Sequence, residues 1–157
     1  MPGPGKTFTE ARFDLCRATL RRAEDGLLEI VTSAFTLAEV CKRPEIRSSP
    51  AANLAAFFEQ RYILLVNVDQ EVGLKAQALQ LSGIAGLKPP DATHLASALV
   101  ADVPVFHTFD GKLIDLDKRL ETVGGRQLRI VHPESELPLP PLLEEINKSV
   151  SADRKSD

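Results

Sequence analysis

Three acidic residues stand where an α/β chain collects its chemistry: Glu39, Asp91 and Asp110. Glu39 lies about one helical turn after a β-branched apolar run. Asp91 follows Pro89-Pro90 and opens a helical pattern. Asp110 follows the apolar run that ends at Thr108. Carboxylates brought together are hard oxygen ligands, suited to Mg²⁺ or Mn²⁺. A cation held there lowers the pKa of bound water and neutralises charge developing on a phosphate. Without a cation the carboxylates repel one another at neutral pH. Metal-assisted phosphodiester hydrolysis is the natural reaction class. Each acid also has a plain structural reading. Thr36-Leu37-Ala38-Glu39 spells a capping box, Asp91 favours the positive end of its helix, and Asp110 before Gly111 suits a turn or an N-cap.

The elements that must position these acids can be read from hydrophobic periodicity. Phe13, Cys16, Leu20 and Ala23 recur at helical spacing over residues 10–25, and Gly26 ends that helix. Residues 28–33 form a short β-branched strand. A helix over residues 36–42 puts Leu37, Val40 and Cys41 inward and stops at Pro44. Another runs from Pro50 to Gln60, and residues 62–66 read as a strand buried on both faces. Asp69 caps a helix to Leu81 with Val72, Ala76 and Leu79 as its stripe. The helix opened by Pro89-Pro90-Asp91 buries Ala92, Leu95, Ala96 and Leu99. Residues 103–108 are a strand, 111–120 a helix and 128–131 a last strand. Asp115 and Asp117 read as solvated. Helices alternating with short apolar strands indicate a parallel sheet covered on both faces, an α/β layer fold. Such sheets place their sites at the carboxyl ends of the strands.

Composition narrows the field. The chain has 157 residues, 43% of them hydrophobic and 26% charged, which fits one domain with one core. Its net charge of −3 argues against a DNA-wrapping protein but leaves a local basic surface open. Lys42, Arg43 and Arg47 follow Glu39, and Lys112 follows Asp110, so phosphate contacts near the acids are available. One Tyr and no Trp leave little for base stacking. The apolar runs are too short to span a membrane, and no secretory signal is visible. Cys16 and Cys41 read as buried thiols in a reducing cytoplasm rather than a disulfide or zinc pair. His94 reads as a partly buried, hydrogen-bonded histidine. Gly5-Lys6-Thr7 lacks the upstream glycine of a phosphate-binding loop.

Three segments together resemble a known family. TSAFTLAEV (residues 32–40), GLKPPDATHLASAL (residues 86–99) and VFHTFDGKL (residues 105–113) are similar, in order and separation, to the second, third and fourth motifs of PIN-domain ribonucleases. The resemblance covers residues 10–135. It implies a three-layer α/β/α sandwich with a parallel sheet and endoribonuclease activity with Mg²⁺ or Mn²⁺. It also implies an RNA substrate and a homodimer, and, for toxin members, an antitoxin partner. On the resemblance Glu39, Asp91 and Asp110 are metal-site acids, and Thr108 orients water or a ligand beside them.

The family's first motif is a strand ending in Asp, and MPGPGKTFTE stands here where the loop after that strand is expected. Asp14 lies inside a helical pattern and does not replace that acid. The expectation is a sheet without its first central strand, so that strands 28–33 and 103–108 either pair directly or leave a gap. It keeps a second reading open, a module without catalysis that binds RNA or protein. Residues 1–9 read as a loop, 10–135 as the domain, and 136–157 as a Pro-rich tail with a short helix and a disordered end.

Overall fold

The computed structural model of the chain describes residues 7–48 and 51–133. The Pro-rich tail, its short helix and the start of the N-terminal loop lie outside the described residues. The elements are α1 (Phe8–Glu24), β1 (Ile30–Ser33), α2 (Thr36–Glu39), a 3-10 turn (Val40–Lys42), α3 (Pro44–Arg47) and α4 (Ala51–Phe58). There follow β2 (Ile63–Val66), α5 (Gln70–Leu81), α6 (Pro89–Val100), β3 (Val105–His107), α7 (Gly111–Ile114) and β4 (Arg129–Val131).

Local chemistry accounts for most boundaries. Thr7 and Glu10 form a reciprocal capping box at the start of α1, with the Thr7 N–H donating to Glu10 Oε2 at 2.7 Å. Gly26, at φ +75°, takes the left-handed conformation that releases the chain from this helix. The Asp69 carboxylate accepts the Val72 N–H at 3.1 Å and caps α5. Pro89 and Pro90 occupy the first turn of α6, where no intrahelical donor is required. Pro44 opens a short helix of its own, because proline at the first position begins a turn as readily as it ends one. The helix expected over 111–120 closes after Ile114, and turns follow it, with Lys118 at φ +58°.

The strands form two separate parallel pairs, β1 with β2 and β3 with β4. Ile30 aligns with Ile63 and Ser33 with Val66; Val105 aligns with Arg129 and His107 with Val131. β1 and β3 are not paired: the gap is what forms. The core is equally one-sided. Leu95, Leu99, Leu128, Ile130 and Val72 are its largest fully buried side chains, and α5 packs along α6 to enclose it. Among the described residues Ala23 is the one buried hydrophobic residue before Val72. β2 is correspondingly not covered on both faces, since Leu64 keeps 49% of its surface exposed. Cys16 and Cys41 are both exposed, against the expectation of buried thiols, because α1 and the turn carrying Cys41 belong to the thinly covered half.

Candidate functional site

β1 delivers its chain into a tight corner. The buried Ser33 hydroxyl accepts the Phe35 N–H at 3.2 Å, and the Thr32 and Thr36 hydroxyls meet at 2.8 Å. That corner starts α2 and carries Glu39 to the rim of a cavity of about 810 Å³ between β1 and β3. Asp91, in the first turn of α6, lines the same cavity, as do His94 one turn later and Thr108 just beyond β3. Three of the four residues expected at the site, Glu39, Asp91 and Thr108, therefore border one space.

Glu39 does not form the capping box with Thr36. The α2 N-cap is Phe35, which makes no side-chain cap bond. The Glu39 carboxylate instead takes Lys42 Nζ at 2.9 Å on one oxygen and His94 Nε2 at 2.6 Å on the other. These partners, Lys42 foremost and His94 next, hold its pKa below the ordinary carboxylate value. The expectation of a partly buried, hydrogen-bonded His94 is met: its ring also lies 5.8 Å from that of Phe35. Sequence reasoning could not join His94 to Glu39, because nothing local links two helices so far apart in the chain.

Asp110 follows its structural reading. It is exposed and caps α7, accepting the Lys112 N–H at 2.9 Å, while its own N–H donates to Thr108 Oγ1 at 3.0 Å. It does not line the cavity that holds Glu39 and Asp91. Beside it, Phe109 stacks on His132 at 5.8 Å and carries the Arg12 guanidinium at 4.8 Å over its ring. His132 Nδ1 donates to the Thr108 carbonyl at 2.9 Å, so this end of β3 is tied to the residue after β4.

By donor chemistry Glu39, Asp91 and Asp110 suit a hard cation. By number they fall short: among the described residues no group of three His, Cys, Asp or Glu side chains is placed to hold a metal ion. Each Glu39 oxygen already accepts one hydrogen bond, so a cation shared with Asp91 would compete with Lys42 and His94 for that carboxylate. The nearby cations are exposed, but Lys42 is engaged by Glu39, and Arg47 Nε donates to the Cys41 carbonyl at 2.6 Å. Lys112 lies against the loop at Gly86.

Two further acids have structural work that the sequence did not disclose. Asp117 is not simply solvated: it accepts the Ile130 N–H at 2.7 Å and Arg129 Nε at 3.2 Å, and the Ile130 bond leads in lowering its pKa. Asp102, at φ +54°, accepts from Arg126 and from the Thr122 hydroxyl, and these contacts hold its carboxyl below the usual range.

Comparison with known proteins places this geometry. Neither the curated proteins nor the solved structures contain a match to the chain. No helix among the described residues is long and apolar enough to cross a membrane. The family model described as "PIN domain" matches residues 8–119, which include β1, β2, β3, α6 and all four expected site residues. The fold is accordingly of a nuclease type whose members usually act on RNA with a divalent metal ion, and the chain belongs to the PIN-domain family.

Proposed function

We propose that the rim holding Glu39 and Asp91 is the working part of a PIN-type endoribonuclease that requires Mg²⁺ or Mn²⁺. Asp91 and Glu39 are its principal acids, with Asp110 and Thr108 beside them. The observation that supports this reading most is the meeting of Glu39, Asp91 and Thr108, from three separate motifs, around one cavity. An antitoxin partner, a homodimer and a cytoplasmic setting belong to the same proposal and rest on family membership alone.

The test is cleavage of a single-stranded RNA by the wild-type chain and by Asp91→Asn, with Mn²⁺ and with chelator. The substitution keeps the size of the side chain and removes its charge. Cleavage should need the metal and vanish in Asp91→Asn, while both proteins melt at the same temperature. Equal, metal-dependent cleavage by the two would refute the assignment.

A specific observation favours a second reading, a module that binds RNA or protein without cutting. The described residues supply no three-ligand group, and the Glu39 carboxylate is already engaged by Lys42 and His94. Calorimetric titration with Mn²⁺ separates the readings: heat of binding that is lost in Asp91→Asn supports the enzyme, and no heat supports the module.

A further inference from the structure

The Glu39 carboxylate is held from two sides, and the two holds differ in kind. His94 stands one turn after Asp91 on α6, so both side chains leave the same face of that helix. Its Nε2 meets Glu39 Oε2 at 2.6 Å, and its side chain is only 21% exposed, with the ring against that of Phe35. This contact ties Glu39 to the face that carries Asp91. Lys42 Nζ meets the other oxygen, Oε1, at 2.9 Å, and the Lys42 side chain is 69% exposed.

The backbone builds the lysine contact. After Glu39 the chain tightens into the 3-10 turn Val40–Lys42. Side chains three apart eclipse in such a turn, which sets Lys42 over Glu39. Pro44 keeps Arg43 out of the helical region, at φ −80° and ψ 127°, so the turn ends at Lys42. Arg47 Nε donates to the Cys41 carbonyl at 2.6 Å and ties α3 back to the turn. The ammonium is thus placed where it supplies the positive charge that a cation on Glu39 would bring. An exposed ion pair is a weak one, and an ammonium on a flexible four-carbon stem leaves it at little cost.

We propose, on the reading of this rim as a metal site, that Lys42 is a built-in stand-in for the divalent cation. Glu39 exchanges Lys42 for the metal and keeps His94, the positioning residue that holds the carboxylate on the Asp91 face of α6. The two partners then have opposite effects. Lys42 opposes the cation, because two positive charges on one carboxylate repel each other, so its removal favours metal uptake. Toward a carboxylate oxygen the His94 Nε2 can only donate, and one hydrogen bond leaves Oε2 a second lone pair. Removing His94 frees Glu39 to turn away and costs metal affinity.

The test is calorimetric titration of the full chain with Mn²⁺, together with lysine labelling in the presence and absence of Mg²⁺. Lys42→Met should tighten Mn²⁺ binding about two- to fivefold, the worth of an exposed ion pair. Arg43→Met removes the same charge from an exposed residue one position along and should change the affinity much less. His94→Ala should weaken binding at least about tenfold, and His94→Gln, which returns an N–H donor, should recover most of the loss. Reductive methylation read by peptide mass should label Lys42 faster once Mg²⁺ is added and Lys118 at an unchanged rate, and Asp91→Asn should abolish the gain at Lys42. Equal affinity of wild type and Lys42→Met, or an equal gain in Arg43→Met, would overturn the exchange. Tighter binding by His94→Ala would overturn the positioning role. If Asp91→Asn removes Mn²⁺ binding while Lys42 labelling ignores the metal, the metal site stands and the stand-in falls. An absence of binding in every variant removes both. Should His94→Ala fail to fold, Lys42→Met and the labelling still decide.

Discussion

Paired truncations measure how far the packing is one-sided. Leu95 is 0% exposed within the cluster formed by α5, α6 and β4, whereas Leu20 is half-buried on α1 and borders the cavity. Replacing Leu95 by Ala removes three carbons, about 2.4 kcal/mol at about 0.8 kcal/mol per buried methylene. The void left in a close-packed region raises the cost to about 3–5 kcal/mol. For a chain of this size that lowers the melting temperature by roughly 9–15 °C, taking about 3 °C per kcal/mol. Leu20→Ala removes the same three carbons beside a space that already lacks partner atoms, and should cost about 1 kcal/mol or less. Urea unfolding followed by far-ultraviolet circular dichroism gives both values if the slopes remain equal. Costs for the two variants within about 1 kcal/mol of each other would show that the region around Leu20 is packed in solution as tightly as that around Leu95. The split sheet would then be refuted.

Two further outcomes follow from particular contacts. The Glu39 carboxyl, observed by carbon NMR, should titrate below the ordinary carboxylate value; in His94→Ala it should rise but stay low, because Lys42 is the larger cause. A lowered folded-state pKa adds stability above the unfolded carboxylate value, lost as pH falls through the folded one, so acid should weaken the Glu39 pairing in that window; a Glu39 pKa indifferent to His94→Ala would refute the pairing. Gly124→Ala places a Cβ 2.5 Å from both Asp102 carboxylate oxygens, and should displace them from Thr122 and Arg126 and speed hydrogen exchange over residues 122–126. Gly73→Ala, with nothing within 4 Å and in mid-helix, is the control and should stabilise by up to about 1 kcal/mol.

What was legible in the sequence was what a few neighbouring residues decide. Asp69 ahead of the Val72, Ala76 and Leu79 stripe specifies α5, and Pro89-Pro90 ahead of Ala92, Leu95, Ala96 and Leu99 specifies α6. Both helices stand where periodicity puts them. The misplaced expectations concern burial. Tyr62 to Val66 has the composition of a strand covered on both faces, and Cys16 has the spacing of an inward residue. Composition reports what a segment would bury if a neighbour were present, and among the described residues no such neighbour covers this half. Leu64 and Cys16 are exposed for the same reason.

The site was legible to a similar depth. Glu39, Asp91 and Thr108 could be nominated because each lies at an element's end, where a parallel layer fold gathers its side chains. Whether nominated acids become ligands is decided by distances that no local pattern encodes. Asp110 satisfies the N–H of Lys112 two residues on, a contact available in any short helix, and it stays outside the cavity. Glu39 is met by His94 from α6, a contact that exists only because α6 packs beside β1. Glu39 thus rides on the thinly covered half through β1 and α2, while Asp91 rides on the well-packed half through α6. Their separation depends on how firmly β1 and α2 are held against α6, which packs on β1 through side chains and not through a backbone ladder. The Glu39–His94 contact adds a polar tie between the two, in the cavity that Asp91 also lines.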